Sequence, residues 1–235
     1  MKLGKAQFGL LILVCGLLLG QICLGKSVNP PTVYEIDQWH PNWGKLKIYV
    51  GQDCARIVPE QYHFEVISKG PDWQIFAFNK IDKTICIIPF SQWERTGARI
   101  TLSGIMTTVP KDYKCHNRQL LGHQCIHYQG GNDSFDYVRD LDCNQHVYAV
   151  VNGFYQTYAA PGVVFASERD QPPICRLKTE AIQQTHVASS AFDAPKNYRT
   201  VDSPQLVMLT NTKKREFEDI IEQLGVGKSF NEKRR

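Results

Sequence analysis

One segment of the chain combines thiol and imidazole side chains, the groups that bind soft metals and carry out nucleophilic catalysis. Cys115, His116, His123, Cys125 and His127 follow one another with the spacing C-H-x6-H-x-C-x-H. Zinc sites usually take pairs of ligands about two to four residues apart on each of two turns. On a strand, the last three residues would share one face because the side-chain period is two, and a metal would need a further ligand from elsewhere. We therefore predict no metal site, and histidines that flank a disulfide.

Disulfides are expected because the cysteines that follow Gly25 are even in number. Six of the eight lie there, and in an exported chain they can form up to three disulfides, with 15 possible connectivities. Cys115 and Cys125 flank a turn-like stretch at 116–122, so a hairpin would bring their Cα atoms within the ~5.5 Å that a bridge requires. We predict this pair and leave the other partners open. The predicted disulfide-forming residues are Cys54, Cys86, Cys115, Cys125, Cys143 and Cys175.

No catalytic residue is predicted from the sequence. A cysteine nucleophile needs a free thiolate beside a base, and an even cysteine count leaves no spare thiol. The G-x-S-x-G motif of serine hydrolases is absent, since Ser103 and Ser189 lack its flanking glycines. A catalytic triad assembled from distant residues stays open, because such sites are defined by geometry and not by order along the chain. The sequence therefore favours a protein that is not an enzyme.

Carboxylates cluster between residues 133 and 144 in an arrangement that partly matches a calcium-binding loop. Asp140, Asp142 and Asn144 match its first three oxygen positions. Gln145 stands where such a loop needs glycine, and Val151 stands where it needs the final glutamate. Turn formation by Asp and Asn explains the cluster more simply. Neither of the glycine-rich phosphate-binding motifs occurs in the chain, so we expect no cofactor.

Four aromatic residues are a further candidate for ligand binding. Tyr148, Phe154, Tyr155 and Tyr158 lie close together along the chain. On an exposed loop such rings can bind a sugar or a peptide, whereas in a β-rich protein the same residues fill the core. We favour the core, and the residues that bind a ligand stay unknown.

The segment from Met1 to Gly25 has the layout of a secretory signal peptide. Lys2 and Lys5 precede an apolar stretch at 8–19, and a segment of small residues leads to Gly25. We predict cleavage after Gly25 and a secreted or periplasmic protein, a location that permits disulfides. The alternative is an uncleaved anchor, a single membrane span from Phe8 to Gly25, because this length is close to the ~20 residues that a span needs.

The charge of the chain excludes a protein built to bind nucleic acid. The formal net charge is +4, and the segment up to Gly25 carries two of the 27 basic residues and none of the 23 acidic ones, which leaves +2 for the remainder. A protein that binds phosphate backbones needs a concentrated basic face.

Strand-like segments separated by turn residues recur from residue 44 to residue 178, with few helical periods. This spacing predicts an α+β, β-rich fold in which a curved antiparallel sheet carries a C-terminal helix packed on it. The predicted organisation is a signal peptide at 1–25, an N-terminal loop at 26–43, a β-rich domain at 44–178, and a linker with the C-terminal helix at 179–235.

The individual elements follow from the same patterns. Strands are predicted at 46–50, 62–67, 73–78, 84–88, 99–108, 124–129, 146–152 and 172–178. A single helical turn is predicted at 89–95, a weak helix at 180–190, and an amphipathic helix at 213–224.

Together these observations favour an exported, disulfide-stabilised protein that binds an unknown ligand or protein partner without catalysis. Two alternatives remain. One is a secreted hydrolase whose site is assembled from distant residues, and the other is a membrane-tethered interaction protein that keeps its leader. Contact with a membrane is expected only if the leader is uncleaved.

Overall fold

A computed structural model describes residues 32–98, 108–170 and 173–208 of the chain. The strands are β1 (Thr32–His40), β2 (Gly44–Gly51), β3 (Cys54–Pro59), β4 (Phe64–Lys69), β5 (Ile75–Asn79), β6 (Thr84–Ile88), β7 (Lys114–Leu120), β8 (His123–Gly130), β9 (Asp133–Val138), β10 (Val163–Asp170), β11 (Pro173–His186) and β12 (Arg199–Thr200). The helices are α1 (Phe90–Thr96), α2 (Gln145–Tyr155), a 3₁₀ helix (Ser189–Phe192) and α3 (Gln205–Met208).

All twelve strands belong to one sheet, in the order β12-β6-β5-β4-β3-β2-β1-β11-β10-β9-β8-β7. Neighbouring strands pair antiparallel, except that the two-residue β12 runs parallel to β6. Strands account for 51% of the structure. The sheet is not closed, and its outermost strands among the described residues are β12 and β7. The predicted β-rich, mostly antiparallel fold with few helices is confirmed.

Two aromatic rings from distant strands show that the sheet bends. Tyr34 lies on β1 and His123 on β8, and three other strands separate them in the sheet. In a flat sheet, four strand spacings of about 4.8 Å would hold these residues roughly 19 Å apart. Their ring centroids are only 6.2 Å apart. The strands therefore curve around a concave face on which the two rings meet.

The concave face carries the main hydrophobic core and the helices α1 and α2. Apolar side chains from β1 to β6 and from β8 to β10 meet the buried faces of these helices. Trp93 of α1 is fully buried, and its indole Nε1 lies 3.2 Å from the carbonyl oxygens of Ala149 and Val150 in α2. The core thus anchors the two helices to each other as well as to the sheet.

The convex face is covered by the chain that follows β11. Phe192 packs with Val33 and Cys54, and Tyr198 packs with a second cluster that includes Phe78. These strand residues alternate with the core residues of the concave face, as the period of two requires. Parts of the convex face at β1 and at β3 to β6 are therefore buried as well.

Helix α2 occupies residues for which the sequence predicted a strand at 146–152, and this prediction is wrong. The segment is rich in valine, which favours strands in isolation. However, Val147, Val150, Val151 and Phe154 fall at i, i+3, i+4 and i+7 and are all buried. The side chain of Asn144 caps the helix by accepting a hydrogen bond from the His146 amide at 3.0 Å. Burial of this apolar stripe against the rest of the protein therefore stabilises a helix here and not a strand.

Three strands lie where the sequence predicted other structure. β1 lies in the predicted N-terminal loop, and it pairs with β2 and β11 in the middle of the sheet. The loop was predicted from Pro30, Pro31 and Pro41, which precede and follow β1 in the sequence and do not interrupt it. The C-terminal part of β11 replaces the weak helix predicted at 180–190, and β7 replaces most of the predicted turn at 116–122. Pairing with a neighbour supplies the backbone hydrogen bonds that the local pattern does not reveal.

Several predicted features lie outside the described residues. They are the leader at 1–25, most of the strand at 99–108, and the helix at 213–224. Among the residues that the structure describes, no helix is both long enough and apolar enough to cross a membrane.

Candidate functional site

The six cysteines at 54–175 are all free thiols in the structure, so the predicted disulfides are not formed. They are Cys54, Cys86, Cys115, Cys125, Cys143 and Cys175. The predicted Cys115–Cys125 pair fails because of register. Cys115 on β7 lies opposite Tyr128 on β8, and Cys125 lies opposite Arg118. Tyr128 and Cys125 are three positions apart on one strand, so the two thiols belong to opposite faces of the sheet.

The buried and partly buried thiols are poor nucleophiles. Burial raises the pKa of Cys54 and of Cys125 to about 11, and that of Cys143 to about 12. Because the thiolate is the reactive form, these side chains are almost entirely protonated near neutral pH. Cys115 and Cys175 are exposed.

Two of the sequence-predicted histidines and one aspartate come together in a row across three strands. His116 on β7 lies directly opposite His127 on β8, and His127 lies directly opposite Asp136 on β9. The two imidazole centroids are 4.9 Å apart, with the rings inclined at 48°. His127 Nδ1 lies 3.0 Å from Asp136 Oδ1. We call these three residues the histidine–aspartate row.

Asp136 is the charged residue that fixes the histidine–aspartate row. Its carboxylate is 3% exposed, and Arg118 donates a hydrogen bond to its second oxygen. An ionised carboxylate only accepts hydrogen bonds, so Nδ1 of His127 must carry a proton. In the neutral imidazole the lone pair is then on Nε2. The row thus presents one oriented imidazole beside a second, exposed one.

His123 takes part in a separate imidazole–carboxylate pair. Its Nδ1 lies 3.0 Å from Asp140 Oδ1, and its ring neighbours are the aromatic rings of Tyr34 and Phe165. The sequence placed His123, Cys125 and His127 on one face, and β8 does so. Each meets different neighbours, however, and no group of three or more metal-ligating side chains forms among the described residues.

The acidic segment at 140–144 forms the entry to α2. The side chain of Asn144 caps the helix. The backbone amide of Asn144 donates a hydrogen bond to the Gln52 carbonyl at 2.8 Å, which connects the segment to the β2–β3 turn. Asp140 accepts from the Gln124 amide at 3.0 Å. Turn and cap formation therefore account for these residues.

The aromatic residues at 148–158 belong to α2 and the chain after it, and they are wholly or partly buried. Phe154 is 1% exposed. The hydroxyl of Tyr155 donates to Gln38 Oε1 at 2.6 Å, and burial raises the pKa of Tyr155 well above its usual value. Gln38 Nε2 in turn donates to the Val164 carbonyl at 2.9 Å and to the Thr179 hydroxyl at 3.0 Å. These rings form core and not a ligand surface.

A cavity of about 590 Å³ opens where the starts and ends of several strands meet. Its wall combines the β2–β3 turn with the start of β1, the end of β4 and the C-terminal part of β11. The lining residues are Thr32, Tyr34, Val50, Gly51, Gln52, Asp53, Cys54, Lys69, Gly70, Asp142, Gln184 and Ser189. We call this the turn cavity.

Hydrogen-bonding groups line the turn cavity on several sides. Gln184 Nε2 donates to the Tyr34 hydroxyl at 3.2 Å. Lys69 Nζ lies 2.9 Å from Asp193 Oδ1 and 3.3 Å from the Ser189 hydroxyl. Lys69 is the cation among the described lining residues, and Asp193 offsets its charge.

Two carboxylates give the turn cavity its charge. Asp53 and Asp142 are both exposed, and neither forms a salt bridge with any residue that the structure describes. The described lining therefore contains two carboxylates and one cation, Lys69, which is already paired to Asp193. A ligand with a positive group would gain both Coulomb attraction and charge-assisted hydrogen bonds there.

Sequence reasoning did not identify the turn cavity. Its residues come from several separate segments of the chain, and each segment alone reads as a turn or as a strand end. Asp142 was noted only as part of a calcium-like pattern, and Asp53 was not among the candidate site residues. The pairing order of the strands brings them together, and no local spacing encodes that order.

Comparisons with known proteins do not assign the chain to a family. No family model matches the chain, and no curated protein matches it. Among solved structures it is similar to an uncharacterized conserved protein from Thermus thermophilus, at 8% sequence identity and a TM-score of 0.33. That match covers 80% of this chain and 99% of the other.

Proposed function

We propose that this protein is an exported, non-catalytic binding module that holds a small cationic ligand in the turn cavity. The observation that carries the proposal is the combination of a built concave site and two carboxylates without a counter-charge. Ligand sites are typically clefts of about 300–1,000 Å³ with a few polar groups that fix orientation. The volume of about 590 Å³ lies within that range.

The charge of the cavity favours one class of ligand. Asp53 and Asp142 attract an ammonium or a guanidinium group, and the hydroxyl of Tyr34 and the amide of Gln184 offer hydrogen bonds to neutral atoms. An anionic ligand would instead meet two like charges, with Lys69 already engaged by Asp193. The proposed ligand is therefore a primary amine or a guanidine, free or as the side chain of a short peptide.

Export rests on the segment from Met1 to Gly25. Lys2, Lys5 and the apolar stretch that ends near Gly25 are typical of a secretory leader. A secreted or periplasmic location gives a binding module access to extracellular amines and peptides. Mass spectrometry of the mature amino terminus tests this part. A start near Lys26 supports export with cleavage, whereas an intact leader supports the membrane-tethered alternative.

The test of ligand binding uses two ligands of matched shape. Nα-acetyl-L-arginine amide carries a guanidinium as its single charged group, and Nα-acetyl-L-citrulline amide replaces it with a neutral urea of the same length. Calorimetric titration is expected to show binding of the first and at least tenfold weaker binding of the second, a difference of about 1.4 kcal/mol. The double variant Asp53→Asn, Asp142→Asn should lose the preference. The control Asp112→Asn removes an exposed carboxylate outside the cavity and should leave binding unchanged.

A second candidate, a secreted hydrolase, has one supporting contact. The His127–Asp136 pair holds an imidazole as a general base requires. Acyl transfer also needs a nucleophile within hydrogen-bond reach of that imidazole. Among the described residues, no serine or cysteine forms a hydrogen bond with His127. Binding therefore ranks above hydrolysis. Hydrolysis of p-nitrophenyl acetate that is abolished by His127→Ala would reverse this order.

A further inference from the structure

The histidine–aspartate row contains two facing imidazoles and a carboxylate behind one of them, an arrangement that the sequence did not predict. The sequence analysis considered His123, Cys125 and His127 as ligands that share one face of a strand, and it expected Cys125 to be oxidised. In the structure Cys125 is a free, buried thiol, and its Sγ lies 3.8 Å from the His123 carbonyl oxygen. Cys115 belongs to the opposite face of the sheet from His127. We therefore leave the two thiols out of the candidate ligand set, and the facing imidazoles of His116 and His127 remain.

We propose that His116 and His127 together bind a divalent metal ion of borderline softness, such as Ni²⁺ or Zn²⁺, through their ring nitrogens. Residues directly opposite on antiparallel strands have their Cβ atoms about 5 Å apart, and the two ring centroids are 4.9 Å apart. Imidazole nitrogen is a common ligand for these ions. Water completes the coordination, so the site is open and exchangeable instead of a closed structural centre.

Asp136 orients the metal ligand His127 by accepting a hydrogen bond from its ring. Histidines that bind metals almost always donate their other ring N–H to a carboxylate, a carbonyl or water, which fixes the tautomer and raises the basicity of the ligating nitrogen. His127 donates Nδ1–H to Asp136 Oδ1 at 3.0 Å, which leaves the lone pair on Nε2 for the metal. Arg118 holds the second oxygen of Asp136 and so restrains the carboxylate. Asp136 is a positioning residue in this site.

His123 provides a matched control within the same strand. It has the same kind of carboxylate partner, Asp140 Oδ1 at 3.0 Å from Nδ1. Its ring neighbours, however, are Tyr34 and Phe165 and not a second imidazole. If a carboxylate-paired histidine were enough, both positions would bind. The proposal requires the second ring and therefore predicts a difference between them.

The test is titration of the untagged full-length protein with Ni²⁺, followed by calorimetry and by retention on immobilised Ni²⁺. We expect one Ni²⁺ site in the wild-type protein. His116→Gln and His127→Gln should each weaken binding at least tenfold, whereas His123→Gln should leave the affinity unchanged. Asp136→Asn should weaken binding by about 10–100-fold, the range found when such supporting residues are replaced, while both imidazoles stay in place.

His116 lies on an exposed edge strand, so its replacement tests the site even if a change at the buried His127 impairs folding. Unchanged Ni²⁺ affinity in His116→Gln would overturn the proposal, and so would an equal loss in His123→Gln. The proposal is independent of the turn cavity, since none of its residues lines that cavity.

Discussion

At the residue scale, His40 is a neutral imidazole held in place by its backbone neighbour. Its Nδ1 accepts a hydrogen bond from the Asn42 amide at 3.1 Å, and its ring packs at 5.6 Å from that of Tyr155. Burial lowers the pKa of His40 from 6.5 to about 4. Protonation would place a charge in a buried position and remove the acceptor for the Asn42 amide.

This shift predicts a pH dependence of stability. The unfolded chain binds more protons at residue 40 than the folded chain between pH 6.5 and about 4, so the free energy of unfolding falls as the pH drops through this window. His40→Gln keeps an acceptor for Asn42 but cannot be protonated. Urea unfolding measures the free energy of unfolding at pH 7.5 and at pH 4.5. The decrease between the two pH values should therefore be smaller in the variant than in the wild-type protein. Equal losses would contradict the assignment.

Asn152 is a buried amide that satisfies the backbone where β10 begins. Its Nδ2 donates to the Gly162 carbonyl at 2.9 Å, and its Oδ1 accepts from the Val164 amide at 3.0 Å. The side chain thereby replaces strand pairing next to the irregularity between Val164 and Ala166.

Asn152→Ala should destabilise the protein by about 2–4 kcal/mol, because it leaves two buried backbone groups without partners. Chemical denaturation measures the loss. Asn117→Ala, at an exposed position on β7, is the matched control and should change stability by less than about 0.5 kcal/mol. A loss at Asn152 no larger than at Asn117 would show that water or another group replaces the amide.

Residue chemistry was only partly readable from the sequence. The sequence indicated correctly that Phe154 and Tyr155 belong to the core, because large aromatics are buried by default. It did not indicate that His116 faces His127, since that contact depends on the register of β7 against β8. Nor did it show that Gln38, a polar residue in an expected loop, bridges Tyr155 and Thr179 in the core.

At the element scale, α1 and α2 approach closely because glycine stands at the contact. A Cβ on Gly153 of α2 would lie 2.4 Å from Nε1 of the fully buried Trp93. At Gly97, where φ is +55°, a Cβ would lie 2.3 Å from the Gly153 carbonyl oxygen. The carbonyl of Gly153 also accepts from the Ala98 amide at 3.0 Å. The end of α1 thus packs directly on the backbone of α2.

Gly153→Ala should lower stability by about 1–3 kcal/mol through overpacking, although alanine is intrinsically about 1 kcal/mol better than glycine inside a helix. The double variant Gly153→Ala, Trp93→Phe should lose less stability than the two single variants lose together, because the smaller ring leaves room for the new methyl group. Thermal unfolding of the four proteins measures the coupling. Additive losses would contradict the contact.

Elements were predictable where the local pattern and the tertiary contacts agree. The strands predicted at 73–78 and 84–88 correspond to β5 and β6, with β6 at its predicted bounds, because both segments are apolar and a turn separates them. α2 was mistaken for a strand because its valines favour strands locally, and burial of a helical stripe overrides that preference. β7 was missed because its residues are almost all exposed, which leaves no alternation to read.

At the scale of the whole molecule, the state of the thiols distinguishes the structure from the sequence prediction. The structure gives six free cysteines at 54–175, whereas the even count in an exported chain predicted disulfides. Cys115 and Cys175 are exposed, while Cys54, Cys86 and Cys125 are buried.

Alkylation of the native protein with iodoacetamide should therefore modify Cys115 and Cys175 first. The three buried thiols should react only after unfolding, since burial both shields them and raises the pKa of each. Peptide mass spectrometry with two isotopic forms of the reagent separates the two classes. Recovery of disulfide-linked peptides from the native protein would contradict the free-thiol structure and restore the prediction from the sequence.

The general architecture was accessible from the sequence, but the arrangement of the sheet was not. Turn residues between short apolar segments indicate antiparallel strands. The position of β1 between β2 and β11 and the bend that brings Tyr34 to His123 depend on contacts between residues far apart in the chain. Because the turn cavity is formed by that arrangement, it could not be predicted from the sequence either.

The most direct test of the account is a crystal structure of the protein grown with Nα-acetyl-L-arginine amide. Binding in the turn cavity predicts density for the ligand between the β2–β3 turn and β11, with its guanidinium within hydrogen-bond distance of Asp53 or Asp142. A ligand that occupies another surface, or a turn cavity that stays free of ligand at concentrations where calorimetry detects binding, would contradict the proposed function.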